Sequence, residues 1–175
     1  MVDAIDAILT RRSIRSFMPQ PVSDEQIDTL LNAMIAAPSA GNMQPWRIVV
    51  VKDPDVKQML AIGALKQDFI AEAPVVFVIC RVPNESSWRY GDRGGNLYSF
   101  QDTATMGENL LIAANSMGLG ACWVGAFRDE EVAKAINCPK GVYPVAIIPV
   151  GHPKESARTP GRRSLKDVVR FIPER

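Results

Sequence analysis

The sequence predicts an α+β fold: a three-layer α/β/α sandwich with a central mixed β-sheet flanked by helices. Two observations carry this. Amphipathic segments with helical spacing alternate with short β-branched runs that read as buried strands. The boundaries between them carry strong local signals: a capping box, an Asp-Pro helix start and a glycine helix stop. No internal repeat, low-complexity tract or linker divides the chain, so residues 1–175 read as one domain.

Taken in order, Ala4, Ile5, Ile8 and Leu9 recur at helical spacing in a first helix that ends at Arg11 and Arg12. Ser23 through Gln26 form a capping box. It opens a helix carrying Ile27, Leu30, Leu31, Met34 and Ile35, which must end before Pro38. The run Ile48–Val51 is expected to be a strand buried on both faces. Asp53-Pro54 starts a short helix through Leu60, and beyond Gly63 a second is expected at roughly Leu65–Glu72. Val75–Cys80 is a further buried strand. Asn84–Asn96 is polar and turn-rich and reads as a loop, a lid or a partner contact. The longest helix runs from about Leu97 to Met117 and is closed by Gly118. Its apolar face (Met106, Leu110, Ala113, Ala114 and Met117, widened by Leu111 and Ile112) suits burial on several sides or at a subunit interface. A short strand at Ala121–Val124, a helix at Asp129–Ile136 and a core strand at Val145–Val150 follow. The tail holds a short apolar run, Val168, Val169, Phe171 and Ile172.

Composition narrows the function classes. The chain is 47% hydrophobic and 22% charged, with a formal net charge of +1, so no general field recruits nucleic acid or an anionic membrane. Cys80, Cys122 and Cys138 are far apart, which argues against a disulfide framework or a zinc ribbon. The first residues carry acids and no long apolar stretch, and no run approaches the roughly 20 residues that span a bilayer. No secretory signal or membrane span is read, and a cytoplasmic location is expected. Gly118, Gly120 and Gly125 do not make a dinucleotide fingerprint, because they follow a helix and miss the spacing. His152, the one histidine, has no acid or cysteine cluster beside it and reads as structural, so no metal site is expected.

Two segments stand out as candidate sites. RRSIR packs Arg11, Arg12, Ser13 and Arg15 into five residues at a helix end. By itself that is an ordinary solvated basic terminus. A second cluster, Arg158, Arg162 and Arg163, changes the weighing, since six of the 20 basic residues then lie in two short windows. Guanidinium forks match phosphate bidentately, so two windows converging on one phosphate make chemical sense. The other segment is APSAGNMQPW, from Ala37 to Trp46. Read plainly it is a helix-to-strand connection, yet Asn42 and Gln44 offer the paired donors and acceptors that a pyrimidine edge needs. Trp46 is assigned to the core.

With these segments in place, the chain resembles the nitroreductase family of FMN-dependent oxidoreductases over nearly its whole length. The resemblance rests on RRSIR, on APSAGNMQPWRIVVV, on ENLLIAANSMGLGACWVGAF (Glu108–Phe127), and on PVAIIPVGHP followed by GRRSLKDVV, in that order. It implies FMN, held at the interface of a homodimer. Arg11, Arg12 and Ser13 would lie at the phosphate with Arg162 or Arg163. Arg15 would lie near the end of the ring that becomes negative on reduction, where a cation raises the potential. Val124, Gly125 and Ala126 would face N5, while Pro38, Ser39, Ala40, Asn42 and Gln44 would come from the second protomer. Lys66 and Gln67 are further candidates for the pyrimidine, and Lys66–Ala71 and Asn84–Asn96 are lid candidates.

The implied activity is a ping-pong, two-electron transfer in which NADH or NADPH gives hydride to flavin N5 and a nitroaromatic, quinone or similar electron-poor acceptor takes it. No side chain need act as acid or base, so no catalytic residue is assigned. The alternatives are a specialised relative of the same fold, such as a dehalogenase or a dehydrogenase of a dedicated metabolite, and a non-catalytic flavin-binding or storage protein.

Overall fold

The computed structural model describes residues 3–155, 157 and 159–172. Four strands form one sheet: β1 (Trp46–Val51), β2 (Val75–Arg81), β3 (Gly120–Ala121) and β4 (Tyr143–Gly151), in spatial order β1-β2-β4-β3. Each neighbouring pair is antiparallel. The parallel component is one bridge, Ser13 to Ala121, through which the segment after the first helix joins the sheet beyond β3.

Alternation along β2 explains the layers. Val75, Phe77 and Ile79 enter one core with Leu30, Met34, Met106 and Leu110. Val76, Val78 and Cys80 enter the other with Leu60, Ile70 and Val132. The first core is roofed by α2 (Asp24–Ile35) and α6 (Ser99–Ser116), the second by α3 (Pro54–Gly63), α4 (Phe69–Glu72) and α7 (Asp129–Ala135). Two helix starts form as the sequence dictates. Ser23 Oγ accepts from the Gln26 N–H while Gln26 Oε1 accepts from the Ser23 N–H, and Asp53 accepts from the N–H groups of Asp55 and Val56. α6 stops at Gly118, whose φ of 74° is the left-handed conformation that ends helices.

Four expectations need correction. Ile48–Val51 belongs to an edge strand whose residues 48–50 are only half-buried, because β1 pairs on one side alone among the described residues. The helix after Gly63 shrinks to Phe69–Glu72, since Leu65 and Lys66 both take positive φ (61° and 63°). Ala121–Val124 pairs only in part: β3 ends at Ala121, and Val124 reaches β4 by a single bridge to Ile147.

The largest difference lies at 84–96, which is helical. Pro83 opens α5 (Pro83–Arg93), bent at Gly91, and a π-helical turn (Gly94–Tyr98) runs into α6. Gly94 makes this possible by close approach, for a Cβ there would lie 2.3 Å from the Ser86 carbonyl oxygen. Arg81 pins the junction by donating to the Gly95 carbonyl (3.0 Å) and Ser99 Oγ (3.3 Å), its guanidinium 4.0 Å from the Phe100 ring centroid.

Among the described residues, exposed apolar side chains include Trp88 of α5, 83% exposed, and those of the first helix and the tail. α1 (Ala4–Thr10) packs on α6 through Ala7, and Asn115 donates to the Ala7 carbonyl and to Thr10 Oγ1, yet Ile5 and Leu9 are 61% and 66% exposed. In the tail, Leu165 and Val168 of the short α8 (Leu165–Val168) and the following Ile172 are likewise exposed. No described helix is long and apolar enough to cross a membrane.

Candidate functional site

The RRSIR segment leaves α1 in extended form. Its Ile14 N–H donates to the Ala121 carbonyl (2.9 Å), and Met18 N–H donates to that of His152 (2.8 Å). Stitched to the sheet edge in this way, it meets residues 159–162 from the far end of the chain. Together they line a cleft of about 590 Å³: Arg11, Arg12, Ser13 and Arg15 on one side, and Thr159, Pro160, Gly161 and Arg162 on the other. The convergence of the two basic windows is therefore real for Arg162. Arg163 is exposed and does not line the cleft, and Arg158 lies outside the described residues.

The four guanidiniums differ in their engagement. Arg12 is turned inward, where Nη1 donates to the carbonyls of Leu9 (2.9 Å) and Arg11 (2.7 Å) and Nε reaches Thr159 Oγ1 (3.4 Å); it clamps the two halves of the cleft together. Arg11 Nε stands 3.7 Å from Glu108 Oε1 on α6, the one ion pair any of the four makes among the described residues. Arg15 is exposed. Beneath them sits Cys122, whose burial pushes its thiol up from the ordinary value while Arg15, Ser13 and Arg11 pull it back in part. The thiol stays neutral and leaves the cationic field of the cleft intact. The donor set (planar cations, a serine hydroxyl and the backbone at Gly161) suits a phosphate monoester.

The second segment lies apart. None of Pro38, Ser39, Ala40, Asn42 and Gln44 lines the cleft. A 3₁₀ turn, Ala40–Asn42, carries positive φ at Gly41 and Asn42 (56° and 57°), and Gln44 adds a third at 50°. The loop is wired internally. Ser39 Oγ accepts from the Gln44 N–H (3.0 Å), and Gln44 Nε2 reaches Asn42 Oδ1 (3.3 Å). From α6, Asp102 Oδ1 accepts from the Ala40 N–H (3.0 Å) and the Thr105 hydroxyl reaches the Pro38 carbonyl (3.2 Å). Trp46, at the start of β1, is buried as expected.

In the third segment Val124 is buried and bonded to Ile147 in both directions, which leaves Gly125 and Ala126 exposed in a turn. Gln67 Nε2 donates to the Ala126 carbonyl (3.2 Å), so the Lys66–Gln67 turn is fastened to it. His152 Nε2 is buried with no hydrogen-bond partner among the described residues, and no group of three metal-ligating side chains occurs among them. Thr159, Gly161, Glu108 and Asp102 escape sequence reasoning. The first two sit in a stretch without periodicity, and the acids look like ordinary helix-surface residues until their partners are known.

The nitroreductase family model matches residues 8–62 and 57–152. An NADH dehydrogenase of Thermus thermophilus is 31% identical across 97% of this chain and 96% of its own. An FMN reductase (NADPH) of Bacillus subtilis is 34% identical across 87% of this chain and 67% of its own. Among solved structures, the NADPH:FMN oxidoreductase of Vibrio harveyi complexed with NAD+ superposes with a TM-score of 0.87 at 28% identity, covering 96% of this chain and 76% of that one. The chain belongs to the nitroreductase family.

Proposed function

We propose that this family member is an NAD(P)H-dependent flavin oxidoreductase that holds FMN by its phosphate in the cationic cleft. The observation that carries the reading is the meeting of Arg11, Ser13 and Arg15 with Thr159–Arg162 across some 150 residues of chain, in a cleft with three guanidiniums free of ion pairs among the described residues. Arg11, Ser13 and Arg162 would take the phosphate, and Arg12 holds the walls together. Of Arg162 and Arg163, Arg162 is the one that lines this chain's cleft. FMN, when bound, supplies the two-electron chemistry that no side chain of the cleft can perform. Arg15, exposed at the rim, would face the charge that builds on the ring during reduction, and the Gly125–Ala126 turn would offer backbone N–H groups to its edge.

Pro38, Ser39, Ala40, Asn42 and Gln44 line no part of their own chain's cleft. We assign them to the cleft of a second copy, with the uncovered faces of α1 and of the tail forming the contact. The site is then complete only in a homodimer. NADH or NADPH is the donor, and an electron-poor acceptor such as a quinone or nitroaromatic takes the electrons.

The test combines an absorbance spectrum of the purified protein with steady-state NADH and NADPH oxidation in the presence of menadione or a nitroaromatic. A flavin spectrum with turnover is expected. Bound flavin without turnover from any donor would leave a storage protein, and absence of flavin would overturn the site. Replacing Arg15 by Met is expected to lower the flavin midpoint potential with FMN still bound; an unchanged potential removes Arg15 from the ring.

A further inference from the structure

We propose that Asp102 is a positioning residue that acts across the subunit boundary: from α6 it fixes the 38–44 loop in the shape in which that loop meets the flavin of the other protomer. This rests on the shared-site reading above.

The loop cannot hold its shape by backbone preference. Gly41, Asn42 and Gln44 all lie in the left-handed region, and two of the three carry side chains that disfavour it. Its internal bonds, from Gln44 to Ser39 and Asn42, fix the loop relative to itself but not to the rest of the chain. Among the described residues, the side-chain hydrogen bonds from 38–44 to another element are two, and both come from α6. They are Asp102 Oδ1 with the Ala40 N–H at 3.0 Å and Thr105 Oγ1 with the Pro38 carbonyl at 3.2 Å. One backbone bond, from the Trp46 N–H of β1 to the Gln44 carbonyl (2.8 Å), ties only the far end of the loop.

Asp102 is an odd choice for stability. It is 6% exposed, no cation pairs with it among the described residues, and its Oδ2 is buried with no partner. A buried acid held by one backbone N–H is unfavourable compared with an apolar residue of similar size. What it supplies is an acceptor at the first residue of the 3₁₀ turn, between Ser39 and Asn42. Pre-organised binding groups need such support, because a loop free to sample other shapes loses affinity to ordering.

The experiment measures FMN dissociation constants for the parent, Asp102→Ala, Asp102→Asn and Ala40→Pro. Asp102→Ala is expected to weaken FMN about 10- to 100-fold, while Asp102→Asn, which keeps an acceptor, stays within about threefold of the parent. Ala40→Pro removes the N–H from the loop side at a helix-start position that tolerates proline, and is expected to match Asp102→Ala. It decides the matter if Asp102→Ala does not fold. Parental affinity in Ala40→Pro, or equal loss in Asp102→Asn and Asp102→Ala, would overturn the proposal.

Mixed dimers then separate the two readings. A dimer of one Arg11→Ala and one Asp102→Ala protomer should regain one tight flavin, because one of its two sites inherits both intact halves. The control pairs Arg11→Ala with Asn42→Ala. If the control regains no tight flavin, the shared site itself is wrong. If the control succeeds and the Asp102 mixture does not, Asp102 acts within its own chain and only the present inference falls.

Discussion

In the cleft Arg12 is engaged but Arg11, Arg15 and Arg162 are left largely open, whereas in the 38–44 loop the polar groups are engaged with one another. Arg15 and Arg162 face solvent without an ion pair among the described residues, and Arg11 has only a distant one. Ser39, Asn42 and Gln44 are already joined through Gln44, and Ala40 is held from α6. Under the shared site proposed above, the difference would separate two tasks that one binding site must perform. Open cations supply attraction and make it sensitive to salt. A wired loop supplies shape, and its contribution is orientation.

This contrast can be broken in four places. Arg11→Ala should have the largest effect, weakening FMN about 10- to 100-fold, with the loss shrinking at high salt. Fluorescence titration of the apoprotein at two ionic strengths checks it, and a variant as yellow as the parent would remove the phosphate from the cleft. Gly120→Ala comes next. A Cβ at 120 would lie 2.7 Å from Cβ, Cγ1 and Cγ2 of Ile14, the apolar member of RRSIR, so overpacking of about 1–3 kcal/mol is expected, together with weaker FMN binding. A thermal melt that drops while flavin affinity stays parental would show that the cleft tolerates movement of its backbone.

Asp102→Asn tests the loop through pH. Burial raises the Asp102 pKa above its ordinary 3.8, and the Ala40 N–H lowers it only in part. The folded parent therefore keeps a proton that the unfolded chain has lost, and its stability falls as the pH climbs from 3.8 through the raised value, then levels. Asp102→Asn lacks that step, so its melting temperature should gain on the parent's with rising pH across the window. A difference independent of pH would mean that the acid is not buried in solution. Glu108→Gln should have the smallest effect. It releases Arg11 from a 3.7 Å pair and removes a negative charge beside the cleft, so FMN should tighten by about two- to threefold at low salt. Weaker binding instead would mean that Glu108 orients Arg11.

Much of the fold was legible where local chemistry decides it. The Ser23 capping box, the Asp53-Pro54 start, the Val75–Cys80 strand and the Gly118 stop each depend on residues within a few positions of one another. The meeting of Arg162 with the RRSIR arginines in one cleft was legible for a related reason, since charge clustering shows in one dimension. Residues 84–96 were misread because their helicity depends on Gly94 fitting under the Ser86 carbonyl and on Arg81 reaching Gly95, contacts that polarity alone conceals. Asp102 was illegible for the same cause at longer range, as its partner lies 62 residues away.

α6 carries the supports of both regions on one rod. Asp102 and Thr105 hold the loop, and Glu108 and Asn115 touch the cleft arginine and α1. At 3.6 residues per turn, one residue inserted between Thr105 and Glu108 would rotate everything beyond it by about 100° and carry Glu108 and Asn115 off the face that meets Arg11 and α1. The helix therefore works as a phase standard. Over this stretch the protein can change by substitution but not by insertion or deletion, and growth in chain length is confined to the connections at either end.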